Sequence, residues 1–332
     1  VQDRPPRGLP PDRARPVGRR PARRPKWGRR IGAAFAALLL LIVGFAVYVD
    51  TSLNRVDALP SDSTVSSEGT NWLIVGSDSR AELSDEQKKE LATGSETSEL
   101  TDTIMLLHTG SGAPTLVSLP RDSMVDIPGH GRNKINSAYE RGGGADGGGP
   151  ELLIRTVEGA TGLKINHYAE IGLLGVVSVV DAVGGVELCV PEAIEDDKAA
   201  LDIEAGCQTL DQATALGYVR TRATASSDFG RVERQRAFLA ALLDKVTAPA
   251  TLLNPFRIVP LASGLSSSIT VDGNDHIWNL AALGLAMRGL PDGISTTVPV
   301  RDGVVNWDRD RALTLFEALG QDQRPPASAL GP

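Results

Sequence analysis

The sequence predicts an α/β fold: a central mixed β-sheet flanked by helices on both faces, preceded by one transmembrane helix. Two observations lead there. Between Asn71 and about Met287, short apolar runs that read as strands alternate with longer segments of helical period. Ahead of them, Ile31 to Val49 (IGAAFAALLLLIVGFAVYV) carries no charge and no strongly polar side chain.

Residues 1–30 are rich in Pro and Arg, with eleven basic side chains against two aspartates, a net charge of +9. Such a segment buries too little apolar surface to fold and is predicted to be disordered. Nucleic acid is the tempting partner, but the next stretch overrules it. Residues 31–49 would span about 28 Å as a helix, close to the ~30 Å hydrocarbon core of a bilayer. A cleaved signal peptide has a shorter apolar region of ~7–15 residues, so the length favours an uncleaved anchor. The arginine-rich flank stays cytoplasmic by the positive-inside rule, which places everything after Asp50 outside. The tail then serves as an orientation signal and a contact for anionic membrane lipids. Of 34 basic and 41 acidic residues, the rest of the chain keeps 23 and 39, a net charge of −16. An acidic exterior does not bind polyanions by bulk charge, so any anion site must be a local arginine cluster.

Residues 50–70 read as a polar stalk and 71–290 as one α/β domain. In it, Asn71 to Gly76 is a buried strand, and 103–108 with 115–119 a hairpin pair. Residues 81–100 are a charged insertion, and 141–150 (RGGGADGGGP) a loop without structure of its own. Helices are expected at 151–161, 173–183, 252–265 and 276–287, strands at 165–171 and 186–190. A strand (296–300) and a helix (309–319) make up a C-terminal extension, 291–320, and 321–332 reads as a disordered tail. Cys189 and Cys207 both lie on the outside, where an oxidising compartment permits a disulfide. Neither belongs to a C-x-x-C motif, which argues against thiol redox chemistry and zinc.

The most informative stretch is Tyr218 to Arg236, YVRTRATASSDFGRVERQR. Residues 218–222 alternate as a strand does, which puts Arg220 and Arg222 on one face. Asp228 reads as the N-cap of a helix running to about Val246. Its apolar stripe (Phe238, Leu239, Leu242, Leu243, Val246) extends towards the N-terminus onto Gln235 and Arg231. A guanidinium on a core-facing stripe needs a partner, since burying one unpaired costs on the order of several kcal/mol. Either carboxylates supply it or the space is kept for an anion, which a helix N-terminus already favours. An Arg-rich helix start with solvated side chains is the plain alternative, but with Arg220 and Arg222 adjacent and Arg231 and Gln235 facing inward, the reading is a phosphate or pyrophosphate clamp.

Asp78 and Arg80 follow the end of the first buried strand, and Asp102 precedes the next. Carboxylates converging from two strand ends are hard-oxygen ligands suited to Mg²⁺, which shares phosphate oxygens. On spacing alone they are equally ordinary turn aspartates. Arg121 and Asp122 follow another strand end, and Lys134 and Asn136 add a basic group and a polar anchor. The four histidines are scattered, with no H-E-x-x-H, and no G-x-S-x-G elbow or phosphate-binding glycine loop opens a helix.

Seven segments, N-W-L-I-V-G-S-D-S-R, T-D-T-I-M-L, V-S-L-P-R-D-S, K-I-N-S-A-Y, D-A-V-G-G-V-E, A-L-G-Y-V-R-T-R and D-F-G-R-V-E-R-Q-R, occur in that order. Together they resemble the LytR-CpsA-Psr (LCP) family of cell-envelope proteins, over about Asn71 to Leu253. The resemblance implies an LCP-like α-β-α fold and a phosphotransferase acting outside the membrane. It would move a glycopolymer from a polyprenyl-pyrophosphate-linked glycan to peptidoglycan, at the 6-hydroxyl of N-acetylmuramic acid. By motif position, Asp78 and Asp102 would hold Mg²⁺, or Mn²⁺ in its place. Arg80, Arg121, Lys134, Arg220, Arg222, Arg231 and Gln235 would grip the pyrophosphate. Apolar residues of the sheet and of the helices near 173–183 and 236–246 would wall a tunnel for the lipid tail. Asp122 and Asp102 are the candidates for a general base. Leu100 stands where many relatives have an arginine. Hydrolysis of the same lipid, or lipid-phosphate binding without catalysis, are the alternative readings.

Overall fold

The computed structural model describes all residues except 1–26, 78–100, 146, 222–233, 235–236, 239, 243, 247, 253, 267–268, 303–304 and 332. In chain order, α1 (Trp27–Thr51) is followed by β1 (Asn54–Val56), β2 (Thr70–Ser77), β3 (Thr101–Thr109) and β4 (Thr115–Ser118). Next come β5 (Met124–Ile127), β6 (Gly131–Lys134), α2 (Ser137–Arg141), α3 (Gly149–Thr161), β7 (His167–Ile171) and α4 (Leu173–Val183). A small-strand region follows: β8 (Val186–Val190), β9 (Ile194–Asp196), β10 (Leu201–Ile203) and β11 (Gly206–Leu210), then α5 (Gln212–Arg220). The described residues between 234 and 246 are helical. The chain continues through α6 (Pro249–Leu252), α7 (Pro255–Ser266), β12 (Ile269–Asp272), α8 (Ile277–Arg288), β13 (Ile294–Thr297), β14 (Val300–Asp302), β15 (Asn306–Trp307) and α9 (Arg309–Gly320).

The central sheet has the order β1-β12-β7-β2-β3-β4-β13. It is mixed, as the sequence predicts: β2 runs parallel to β7 and antiparallel to β3, and β3 is antiparallel to β4. The C-terminal ends of β2, β4 and β7 therefore share one edge with the start of β3. Period-two alternation sends neighbouring side chains to opposite faces. Leu73, Val75, Ile104, Leu106 and Val117 pack against α3 and α9 on one face. Trp72, Met105, Leu107 and Leu116 meet Leu280, Leu283 and Met287 of α8 on the other. Each fully buried side chain of this kind stabilises by about 1.5–3 kcal/mol, so the sheet is the main store of stability. A separate cluster joins Val179, Val180 and Val183 of α4 to β8–β11, Tyr218, Phe238, Leu242 and Leu261. On the exposed side of the β8–β11 pair, Cys189 lies opposite Cys207 and the two form a disulfide.

α1 contains a stretch, Arg30–Thr51, long and apolar enough to cross a membrane. The chain divides into two units, residues 1–45 and 46–332.

Four expectations are corrected. The segment read as a stalk contributes β1, which pairs in parallel with β12 at the sheet edge. Ala58 is fully buried, and Asp272 accepts hydrogen bonds from the backbone N–H groups of Ala58 and Leu59 at 3.1 and 2.9 Å. The C-terminal tail packs too. Ala329 is buried, Arg311 Nε donates to the Ser328 carbonyl at 2.8 Å, and Asp322 accepts from the Ser111 N–H at 2.8 Å. The glycine run is a compact turn, because a Cβ on Gly142 or Gly149 would meet the carbonyl oxygen of Gly148 or Gly144 at 2.6 or 2.5 Å. Tyr218 to Arg220 is helix, not strand. Asp211 caps α5 by accepting from the Thr214 N–H at 2.9 Å, and that start signal outweighs a five-residue alternation. Smaller shifts have local causes: Pro299 cannot donate to a ladder, which splits the expected 296–300 strand into β13 and β14. Pro255 likewise restricts the residue before it and sets the break between α6 and α7.

Candidate functional site

At the shared edge, β2 ends on Ser77 and β3 begins on Thr101, and these two residues are paired. The preceding pair is Gly76 with Thr103, so the register slips and Asp102 is the extra residue of a β-bulge. Bulges break a ladder locally and recur beside active sites. Asp78 follows Ser77 directly in sequence, so the two predicted metal carboxylates belong to residues flanking one pair. The side chain of Asp102 and the whole of Asp78 lie outside the described residues, as do Arg80, Arg222, Arg231 and Gln235. Thr101 is fully buried and its Oγ1 finds no hydrogen-bond partner among the described residues, an unsatisfied oxygen beside the bulge. Among the described residues, no three His, Cys, Asp or Glu side chains gather at a point.

The chain leaving β4 turns at once, with the Ser123 N–H donating to the Pro120 carbonyl at 2.9 Å. The β5–β6 hairpin then brings the chain back. Ile135 N–H donates to the Ser123 carbonyl at 2.8 Å and Asn136 N–H to the Arg121 carbonyl at 3.2 Å. This stitching sets Lys134 beside Arg121. Asp122 joins them, with Oδ1 2.6 Å from Lys134 Nζ and Oδ2 3.6 Å from Arg121 Nε. Arg121 is 25% and Lys134 56% exposed, so both cations also face solvent. Partial burial pushes the Asp122 carboxyl up, but the Lys134 hydrogen bond and the two positive charges outweigh it and hold the group below its usual range.

Beneath this edge lies a group that the sequence reading missed. Glu170, opposite Val75 near the end of β7, is buried. It accepts hydrogen bonds from Tyr139 Oη at 2.7 and 2.9 Å and from Tyr168 Oη at 2.8 Å. Tyr139 closes the K-I-N-S-A-Y segment, so the carboxylate ties that segment to the sheet. Burial and then the charge of Glu170 push the Tyr168 phenol well above its ordinary value. The signal was available: Glu170 shares one face of β7 with Tyr168, a core side chain, so period two turns the carboxylate inward.

Arg220 is the last residue of α5, at the rim of the second cluster. Because α5 is a helix capped at Thr221, Arg220 is helical and not on the predicted strand face, and Arg222 lies outside the described residues. Among the described arginines, Arg234, which the helical wheel passed over, is the buried one. Its Nη2 donates to the Thr221 carbonyl at 2.6 Å while Thr221 Oγ1 donates to Asp196 at 2.6 Å. Burial lowers the Arg234 pKa, opposed by the charges of Tyr218 and Glu192. The expected lipid tunnel falls partly outside the described residues; those described pack into the second cluster.

Residues 47–316 match the LytR_cpsA_psr family. The chain is 51% identical over 299 residues to the probable cell wall biosynthesis protein LcpB of Corynebacterium glutamicum, covering 87% of this chain and 70% of that one. It is 32% identical over 346 residues to the cell wall biosynthesis protein LcpA of the same organism, covering 88% and 66%. The chain thus spans about two thirds of the length of these relatives. Among solved structures, a LytR-Csp2A-Psr enzyme from Actinomyces oris superposes with a TM-score of 0.63 at 23% identity, over 81% of this chain and 96% of that one. B. subtilis TagV gives 0.58 at 22%, over 78% and 99%, and both likenesses are of fold. With a family match over most of its length and 51% identity to one relative across 87% of the chain, it belongs to the LytR-CpsA-Psr family.

Proposed function

We propose that this chain is a phosphotransferase. It moves a glycopolymer from a polyprenyl-pyrophosphate carrier to peptidoglycan, at the 6-hydroxyl of N-acetylmuramic acid, outside the membrane that α1 spans. One observation carries the reading: Arg121 and Lys134, from separate segments, meet on one carboxylate at the sheet edge where Asp102 forms a bulge. The relatives support it, since two are named for cell wall biosynthesis. A third, from Enterococcus faecalis, is named a polyisoprenyl-teichoic acid–peptidoglycan teichoic acid transferase and is 38% identical over 151 residues, 45% of this chain and 47% of that one.

In this reading the acceptor hydroxyl oxygen bonds to the sugar-side phosphorus, and the bond from that phosphorus to the lipid phosphate oxygen breaks. The polyprenyl monophosphate leaves, and the proton given up by the hydroxyl ends on that leaving phosphate. Arg121 and Lys134 stabilise the charge that grows on the transferring and leaving phosphates, with Arg80, Arg220, Arg222, Arg231 and Gln235 as further contacts. Asp122 keeps the two cations together. Its depressed basicity makes it a weak proton acceptor, so it acts as their counter-ion rather than as the base. The bulge at Asp102, the adjacent Asp78 and the unsatisfied Thr101 oxygen offer hard oxygen donors that fit Mg²⁺. Bound there, the metal would neutralise phosphate charge.

The test is reconstitution of the full chain in vesicles with a synthetic polyprenyl-pyrophosphate glycan and a peptidoglycan fragment, with Mg²⁺ or a chelator. A phosphodiester-linked glycan–peptidoglycan product that needs the metal is expected. Lipid monophosphate released at the same rate without acceptor would mean hydrolysis instead.

A further inference from the structure

α8 is apolar along nearly its whole length: of Ile277–Arg288 (IWNLAALGLAMR), only Asn279 and Arg288 are polar. A helix on the outside of a domain needs one apolar face, and that face is accounted for. Leu280, Leu283, Ala286 and Met287 lie against Trp72, Met105 and Leu107 of the sheet. The opposite face is apolar too. Trp278 is 62% exposed and Leu285 70%, with Ala281 and Ala282 exposed between them. These positions recur at helical spacing, so they form one stripe rather than scattered residues. An exposed continuous stripe of this kind marks a surface that something covers.

Its neighbours in the fold identify what covers it. Asp50, in the last turn of the apolar helix, accepts a hydrogen bond from the Ile277 N–H at 2.9 Å and pairs with His276 Nδ1 at 3.0 Å. Arg55 Nη2 lies 3.2 Å from the same carboxylate. Leu53 packs with Ile269 and Val271, a cluster that Leu280 joins. The first turn of α8 is thereby pinned to the residue at which the chain leaves a bilayer. His276 stacks on Trp278 with ring centroids 4.3 Å apart, which holds the indole at that level. Trp is the side chain that settles at the headgroup boundary, with an apolar body and a polar N–H.

We infer that α8 is a membrane-surface helix: its Trp278–Ala281–Ala282–Leu285 stripe lies in the lipid interface and sets the domain down on the bilayer beside the end of α1. This rests on α1 being the membrane span. An enzyme whose substrate is anchored in lipid gains from it, because the domain is held against the surface instead of swinging on a tether.

The experiment uses the full chain in vesicles, in a Trp27→Phe background, with lipids brominated near the headgroup end of the acyl chain. The emission of Trp278 is taken as the difference from the same protein carrying Trp278→Phe. A blue-shifted emission that brominated lipid quenches is expected, and Leu285→Glu should reverse both, returning solvent-like emission. Solvent-like, unquenched Trp278 in protein that resists alkaline extraction would overturn the inference while leaving the span intact. Extraction of the protein by alkali would overturn the span and the inference together. A blue-shifted but unquenched Trp278 would mean that protein, such as a second copy, covers the face, and would overturn it as well.

Discussion

The sharpest consequences belong to single side chains. Asp122 holds Lys134 and Arg121 at 2.6 and 3.6 Å, so Asp122→Asn should leave both cations without their shared counter-ion. The pair is part-exposed and screened, so the cost in stability should stay below about 1 kcal/mol. Transfer should fall about tenfold or more as the two cations lose their relative position. Unchanged transfer alongside an unchanged melt would show that the grouping is incidental. Glu170 is the opposite case, buried and bonded to two tyrosines. Glu170→Leu should cost about 2–3 kcal/mol, because two buried hydroxyls lose a charged acceptor. Thermal melts of parent and variant measure it. Tyr168 gives a pH signature. Its folded pKa is raised, so the folded state retains a proton that the unfolded state releases. That contribution is fully present below about pH 10, the ordinary tyrosine value, and is lost as pH rises towards the folded value. Tyr168→Phe should flatten the alkaline limb of a stability–pH curve; an identical limb in both proteins contradicts it.

At the scale of elements, the disulfide closes β8 onto β11 with a sequence separation of 18. Cys189→Ser with Cys207→Ser should lose about 3 kcal/mol by loop-closure entropy, read as a lower melting temperature under oxidising conditions. Elements long enough to repeat their period were legible: the buried strand at 71–76, the hairpin of β3 and β4, and the helices at 151–161, 173–183, 276–287 and 309–319 all stand close to where the pattern put them. What misled was brevity or composition. Tyr218 to Arg222 alternates for only five residues, and Asp211, seven residues upstream of Tyr218, starts a helix that overrides it. Residues 54–56 look polar because an edge strand has one wet face, and a glycine run reads as loose until the backbone crossing that requires it is seen. Of the site, Arg121, Asp122 and Lys134 were legible as residues, but their meeting was not, since it depends on the β5–β6 hairpin. Glu170 and Arg234 were hidden by the habit of reading charged side chains as solvated.

For the whole molecule, topology does the gathering. One parallel pairing, β2 with β7, and two antiparallel ones place four strand ends on a single edge. Segments distant in sequence therefore contribute to one place without a long structureless loop among the described residues. The two hydrophobic clusters divide the labour: the sheet and its helices hold the cation group, and the disulfide-closed region carries Arg220 and Arg234. The central claim is that these cations serve a lipid pyrophosphate, and a comparison of variants tests it most directly. Parent, Arg121→Ala and Lys134→Ala chains, matched in thermal melt, are assayed for glycan transfer from a polyprenyl-pyrophosphate donor to a peptidoglycan fragment. A loss of about 100-fold or more in kcat/KM for Arg121→Ala, with a smaller loss for Lys134→Ala, is the predicted result. Full transfer activity in both variants would contradict it.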